Sequence, residues 1–149
     1  MKRKDFKIIS DWIRKDSTVL DLGCGDSTLL AYLVLHKNSS GYGFEKNIEK
    51  VKESIKKNIN VIQADFNNGL HTYFEKNFFD YAIMTQALQE NEDPNSIILE
   101  MVRIAREGIV TFPNMGFWKN RFQLGILGRM PISESLPNKW FDTPNIHLC

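Results

Sequence analysis

At 149 residues the chain has the length of one domain and can bury roughly two thirds of its unfolded surface, so it can hold a real core. Its 42% apolar and 25% charged residues are those of an ordinary globular protein, and 19 Lys and Arg against 18 Asp and Glu leave no net field to draw a polyanion, which argues against a nucleic-acid partner. No stretch approaches the ~18 apolar residues of a membrane span and none near the start has the apolar core of a signal peptide, so a cytoplasmic protein without a membrane role is expected, and the basic start "MKRKDFK" reads as a solvated end.

Residues 4 to 14 place Phe6, Ile9 and Ile13 on one helical face with Trp12 beside them, and "STVLDL" then turns to a buried strand over 18 to 22. After the glycines that follow, Ser27 or Thr28 is expected to cap a helix with the stripe Leu29, Leu30, Leu33 and Val34. "SGYGFE" reads as a second strand ending at Glu45. Asn47 opens a helix with Ile48, Val51 and Ile55 inward, and "NVIQAD" is a third strand ending at Asp65. A polar loop leads to "FFDYAIMT", a continuous apolar strand over 79 to 85 of the kind covered on both faces. Asp93 and Pro94 start a helix with Ile97, Ile98, Met101, Val102 and Ala105 inward, which Gly108 is expected to stop before the strand "IVTFP". Such alternation predicts an α/β fold, a doubly wound and mostly parallel sheet in one domain spanning residues 1–149. From about 114 the chain is rich in Trp, Pro and Arg, with one helix expected near 117 to 127 in an otherwise irregular segment. The sequence stops where a doubly wound sheet normally continues, so its last strands, a sixth and a seventh, are expected to be missing.

The stretch "VLDLGCGDSTLL" carries the chemistry. Ligands of an open parallel sheet bind at the carboxyl ends of the strands where the winding reverses, and the first strand and its turn lie there. Dinucleotide sites space their glycines G-x-G-x-x-G, whereas Asp21, Gly23 and Gly25 follow D-x-G-x-G-x-G, with Ser27 where the third glycine would fall. Glu45 ends the second strand 24 residues after Asp21, where a carboxylate can accept both hydroxyls of a ribose, a feature shared with dinucleotide folds. Asp65 stands where an adenine amino group needs an acceptor. Asp21 can meet a ligand's amino group, a position at which a pyrophosphate would be repelled, so the acids favour S-adenosylmethionine or its demethylated product S-adenosyl-L-homocysteine over a dinucleotide.

Over residues 15 to 113 the sequence resembles class I S-adenosylmethionine-dependent methyltransferases, which implies their Rossmann-like fold. A closer resemblance, to the methionine biosynthesis protein MetW family, rests on "VLDLGCGDSTLL", "QALQ", "FPNMGFW" and above all "GRMPISESLPNKWFDTPNIHLC" at 128 to 149. It implies cofactor binding by Asp21, Gly23, Gly25, Glu45 and Asp65, and a role in methionine synthesis beside homoserine O-acyltransferase.

No catalytic residue can be named. Methyl transfer draws much of its acceleration from positioning, and after the fourth strand the chain offers Thr85, Gln86, Gln89 and Glu90, of which Gln86 and Gln89 would share a helical face. The N/D-P-P-Y/F signature of amino-group methyltransferases is missing, and no G-x-S-x-G supplies an acyl-transfer nucleophile. Among the histidines, His36 and His71 read as surface residues, and His147 is a candidate site residue. Cys24 and Cys149 lack zinc spacing and read as reduced thiols, and no cluster predicts a metal. Trp118, Arg121, Arg129, Trp140 and Phe141 crowd into 24 residues of the last segment, a composition typical of interface hot spots, and are candidate substrate or partner contacts. Three readings follow: a cofactor-binding protein, a methyltransferase acting on a small metabolite, and a cofactor-responsive partner of the acyltransferase.

Overall fold

The computed structural model describes residues 4–66, 69–133 and 135–147; Lys2 and Arg3 of the basic start and the thiol of Cys149 lie outside them. Its elements are α1 (Lys4–Trp12), β1 (Thr18–Leu22), α2 (Thr28–Lys37), β2 (Ser40–Glu45), α3 (Ile48–Lys56), β3 (Val61–Gln63), β4 (Phe79–Thr85), α4 (Pro94–Ile104), β5 (Ala105–Thr111) and α5 (Trp118–Gly125), with single 3-10 turns at Leu70–Thr72 and Leu88–Glu90. The sheet has the order β3-β2-β1-β4-β5 with every pairing parallel. This is the doubly wound α/β fold expected, and its winding reverses between β1 and β4.

Side-chain alternation along the central strands divides the core in two. Leu20, Leu22, Ala82 and Met84 face α4 through Ile97, Met101 and Ile104. Val19, Tyr81 and Ile83 face α1 and α2 through Phe6, Ile9, Ile13, Leu29, Leu30 and Leu33. At the opposite end of the sheet from the glycines, the Thr18 amide and hydroxyl each donate to Asp80 Oδ2 at 2.9 Å and the Asp80 amide donates back to Thr18 Oγ1 at 3.0 Å. These bonds, aided by Arg106 at 3.4 Å, hold the Asp80 carboxyl below its ordinary range and lock the start of β1 to the start of β4.

Several local expectations are corrected. Val34 is exposed, so the α2 stripe is Leu29, Leu30 and Leu33. In α3 the inward residues are Val51 and Ser54, while Ile48 and Ile55 face outward; the Ser54 hydroxyl bonds the carbonyls of Lys50 and Gly25, which fixes the helix face turned toward the glycine turn. The third strand stops at Gln63, short of Asp65. In α4 the buried row is Ile97, Met101 and Ile104, with Ile98 and Val102 exposed. Gly108 does not end α4: β5 begins at Ala105 directly after the helix, and Gly108 sits within the strand paired with Ala82. Asn47 and Asp93 cap α3 and α4 as expected, accepting from the amides of Glu49 and Ser96.

From residue 112 onward the described chain is irregular apart from α5, yet it is pinned. Gln123 of α5 exchanges two hydrogen bonds with the backbone of Ile132, Ser133 and Leu136 exchange a pair of backbone hydrogen bonds, and the amides of Ile146 and His147 both reach the carbonyl of Gln89. No described helix is long and apolar enough to cross a membrane.

Candidate functional site

The turn after β1 is built around backbone amides. The amides of Gly23 and Cys24 both donate to the carbonyl of Phe44, at 2.8 and 3.1 Å, tying the turn to β2. Gly23 (φ 70°) also faces the loop after β4, where a Cβ would lie 3.1 Å from that of Ala87, so a side chain there would press on the opposite wall. The amide of Gly25 (φ 58°) donates to Glu45 Oε2 at 3.0 Å, and that of Asn47 donates to Oε1 at 2.8 Å. Buried at the end of β2, the Glu45 carboxylate is therefore oriented from two sides with acceptor capacity left over.

The helix cap differs from expectation. Ser27 occupies the N-cap position but in the left-handed conformation, φ 55°, and its hydroxyl donates to Cys24 Sγ rather than to the helix. The third glycine position of the motif thus keeps a glycine-like backbone with serine in it, at a cost of about 1 kcal/mol. Asp26 does the capping: it accepts from the Thr28 amide at 3.2 Å and the Thr28 hydroxyl at 2.6 Å, and Lys57 clamps it from α3's far end. Burial works against its charged form, yet the Lys57 and Thr28 bonds hold the Asp26 carboxyl below its ordinary range. A carboxylate already occupies the helix N-terminus where a dinucleotide would put its pyrophosphate.

A cleft of about 460 Å³ opens over this turn, within the range of small-molecule sites. Its walls include Asp21, Gly23, Gly25 and Glu45 from the motif, Thr85, Gln86, Ala87 and Glu90 from the end of β4 and the loop beyond it, and the rings of Phe6 and Phe66. Asp21, Asp26, Glu45, Glu53 and Glu90 border it against only Lys46 and Lys50, and with Asp26 already clamped by Lys57 the other four acids still outnumber the two cations, so the cleft suits a ligand with positive charge. Asp65 does not line it; Phe66, the next residue, does. Sequence reasoning assigned Phe6 to the core and did not see Lys46, Lys50, Glu53 and Phe66 as cleft residues, because nothing local distinguishes them from ordinary helix and loop positions.

Gln86 and Gln89 do not share a helical face. Gln86 stands in the left-handed region, φ 57°, its amide bonded to the carbonyl of Thr111 at 2.8 Å, and it lines the cleft. Gln89 is buried in the following 3-10 turn, where its Nε2 donates to the Gln86 carbonyl at 2.9 Å. Trp118, Arg121, Arg129, Trp140 and His147 lie on the surface of the last segment and none of them lines the cleft. Trp118 is 66% exposed, Trp140 72% and Phe141 66%, so these rings are not packed as a lid on their own sheet. Among the described residues no group of His, Cys, Asp or Glu could hold a metal.

Cys24 sits inside the turn as a buried free thiol, and burial together with the Asp21 charge pushes its pKa up to about 12. Its thiolate is therefore scarce at any working pH. We expect the Cys24 peptide to stay unlabelled when the folded chain is treated with iodoacetamide at pH 8 and to label fully in guanidinium; mass spectrometry of the digest reads the difference, and rapid labelling of the folded chain would contradict this geometry.

The family model described as "Methionine biosynthesis protein MetW" matches residues 3–149. Among curated proteins, the bifunctional methionine biosynthesis protein MetXA/MetW of Rhodopirellula baltica is 32% identical over 150 residues, covering 95% of this chain and 24% of that protein. The chain thus spans about a quarter of the length of that relative. Solved structures with the same fold include a methyltransferase from Geobacter sulfurreducens in complex with S-adenosyl-L-homocysteine (TM-score 0.60, 15% identity, 71% of this chain and 45% of that one) and the [4+2]-cyclase SpnF (TM-score 0.61, 17% identity, 68% and 40%). At such identities the likeness is one of fold, and a fold shared by a methyltransferase and a cyclase leaves the reaction open. The match over nearly the whole chain and the curated relative settle the kinship at the level of sequence: the chain belongs to the methionine biosynthesis protein MetW family.

Proposed function

We propose that this chain binds S-adenosylmethionine, or S-adenosyl-L-homocysteine, in the cleft above the glycine turn and serves methionine synthesis as a cofactor-responsive partner of homoserine O-acyltransferase. The observation that carries the cofactor reading is the Glu45 carboxylate, held at the end of β2 by the amides of Gly25 and Asn47 in a cleft bordered by five acids. The cleft residues fit the group. Glu45 would accept the ribose hydroxyls and Asp21 would meet the cationic amino-acid end. The bare backbone at Gly23 and Gly25 would let the ligand approach the turn, and Phe66 would offer an apolar wall to the base. Bound there, the cofactor supplies a methyl group on a cationic sulfonium sulfur. Asp65 remains a candidate acceptor for the adenine amino group from outside the lining.

Calorimetry on the purified chain tests this reading. Glu45→Ala is expected to weaken binding by about 1.5–3 kcal/mol, the range of a charge-assisted hydrogen bond, which is roughly a ten- to 150-fold rise in Kd. Absence of heat with either form of the cofactor, with heat from NAD instead, would reverse the ligand assignment.

The partner half of the reading is supported by a relative that carries MetXA and MetW on one polypeptide, and by the exposed aromatic surface of the last segment. The family resemblance supplies homoserine O-acyltransferase as the partner. Co-purification followed by an acyltransferase assay with and without S-adenosylmethionine decides it. Failure to associate at micromolar concentrations, with the acyltransferase turning over equally well alone, would move the small-metabolite methyltransferase reading ahead. Labelled S-adenosylmethionine in cell extract would then be the means of finding the acceptor.

A further inference from the structure

Behind the cleft runs a continuous ladder of hydrogen bonds that joins it to the last described residues. Gln86 and Ala87 form the wall opposite Gly23, and the Gln86 carbonyl accepts from Gln89 Nε2 at 2.9 Å. The Gln89 carbonyl in turn accepts two amides, Ile146 at 2.9 Å and His147 at 3.1 Å. Gln89 is 4% exposed, so its own side of these contacts is shielded from water, where a hydrogen bond is stronger. The side chain of Ile146 is itself exposed, so the tie at this point is made by main chain and not by apolar packing. Six residues upstream stands Trp140, which with Asn145 borders a small apolar pocket also walled by Met115, Met130 and Leu136.

We infer that residues 145–147 act as a strap and that Gln89 is the positioning residue through which it sets the Gln86–Ala87 wall of the cleft. A partner docked on the Trp140–Phe141 surface and a ligand in the cleft would then bias one shared element. Coupling of this kind is reciprocal: whatever the strap contributes to ligand affinity, the ligand must return as added stability of the strap. The inference rests on the cofactor reading proposed above and adds to it a route between two surfaces.

Ile146→Pro removes the shorter of the two amide bonds that the Gln89 carbonyl accepts, while Ile146→Ala keeps both and trims only an exposed side chain. The proline variant is expected to bind S-adenosyl-L-homocysteine about fivefold or more weakly, the lower end of ordinary coupling, and to exchange the amides of residues 86–90 faster. The alanine variant should match the unmodified chain in both. In the unmodified chain, saturating ligand should slow exchange at the amides of Ile146 and His147. Unchanged affinity in the proline variant, or equal losses in both variants, overturns the strap. If the proline variant does not fold, unchanged exchange at Ile146 and His147 on adding ligand overturns it instead. Should the unmodified chain bind no ligand, the cofactor reading fails on its own; equal exchange over residues 86–90 in the two variants would then overturn the strap, and faster exchange in the proline variant alone would sustain it.

Discussion

Gly41→Ala is expected to cost about 4 kcal/mol or more, enough to abolish most of the stability of a domain of this size. Gly41 pairs with Val19 in the middle of the sheet, in a backbone conformation, φ 154°, that residues with a side chain rarely adopt. A Cβ there would lie 2.7 Å from the carbonyl carbon of Val19 and closer still to its oxygen. Neither atom can retreat, because β1 is held on its other side by β4. Overpacking of a core and a strained backbone each cost about 1–3 kcal/mol, and here they fall on one residue. Since β2 carries Glu45, a shift of this strand also moves the carboxylate on which the proposed cofactor site rests. Gly25→Ala provides the comparison: its conformation is left-handed, but nothing lies within 4 Å of the added methyl, so only about 1–2 kcal/mol of backbone strain is expected. Urea unfolding followed by circular dichroism measures both. A Gly41→Ala chain with the unmodified midpoint would show that β2 can slide on β1.

The sheet was legible in the sequence because its strands are short apolar runs bounded by glycines and polar turns, and because helices alternate with them. What escaped was decided by contacts distant in sequence. Around Ala105 the helical pattern continues without a break, since Met101 and Ala105 stand four apart and Arg and Glu follow. Pairing of Ala105 with Phe79 outweighs that local preference, so the strand begins at once. In α4 the rows Ile97–Met101–Ile104 and Ile98–Val102 both satisfy helical spacing, and only the position of the sheet selects the first. That the glycines, Asp21 and Glu45 meet at one cleft was legible from spacing, because strand ends in a parallel sheet fix where such residues converge. Asp26 as the cap, the left-handed Ser27 and the cleft positions of Phe6 and Phe66 could not be read that way: each depends on how the turn folds against β2, α3 or the loop beyond β3. The tie between Gln89 and Ile146 joins residues 57 apart through main-chain atoms, which leave no trace in residue type.

If the last segment is the surface that meets the acyltransferase, Trp140→Ala should weaken that association by about 2 kcal/mol or more, at least a thirtyfold rise in Kd, while leaving cofactor binding unchanged. Trp140 and Phe141 meet edge to face with ring centroids 5.6 Å apart, and the Lys139 ammonium lies 5.6 Å from the Phe141 ring, so the two aromatics form one firm projection. Both rings are largely exposed, and Trp140 borders the small apolar pocket. A partner that buries them would gain apolar area without first dismantling a packed core, because neither belongs to either core of the sheet. Val102 on α4, 63% exposed, serves as the control: it is comparably apolar and solvent-facing but lies on an element outside the last segment, and Val102→Ala should leave the association within twofold. Arg129→Ala tests the rim, where a solvated charge is expected to act mainly on the association rate and its salt dependence. Surface-immobilised acyltransferase with the variants as analytes gives both rate constants. Equal affinities for Trp140→Ala and the unmodified chain, with Val102→Ala impaired, would shift the contact from the last segment to α4.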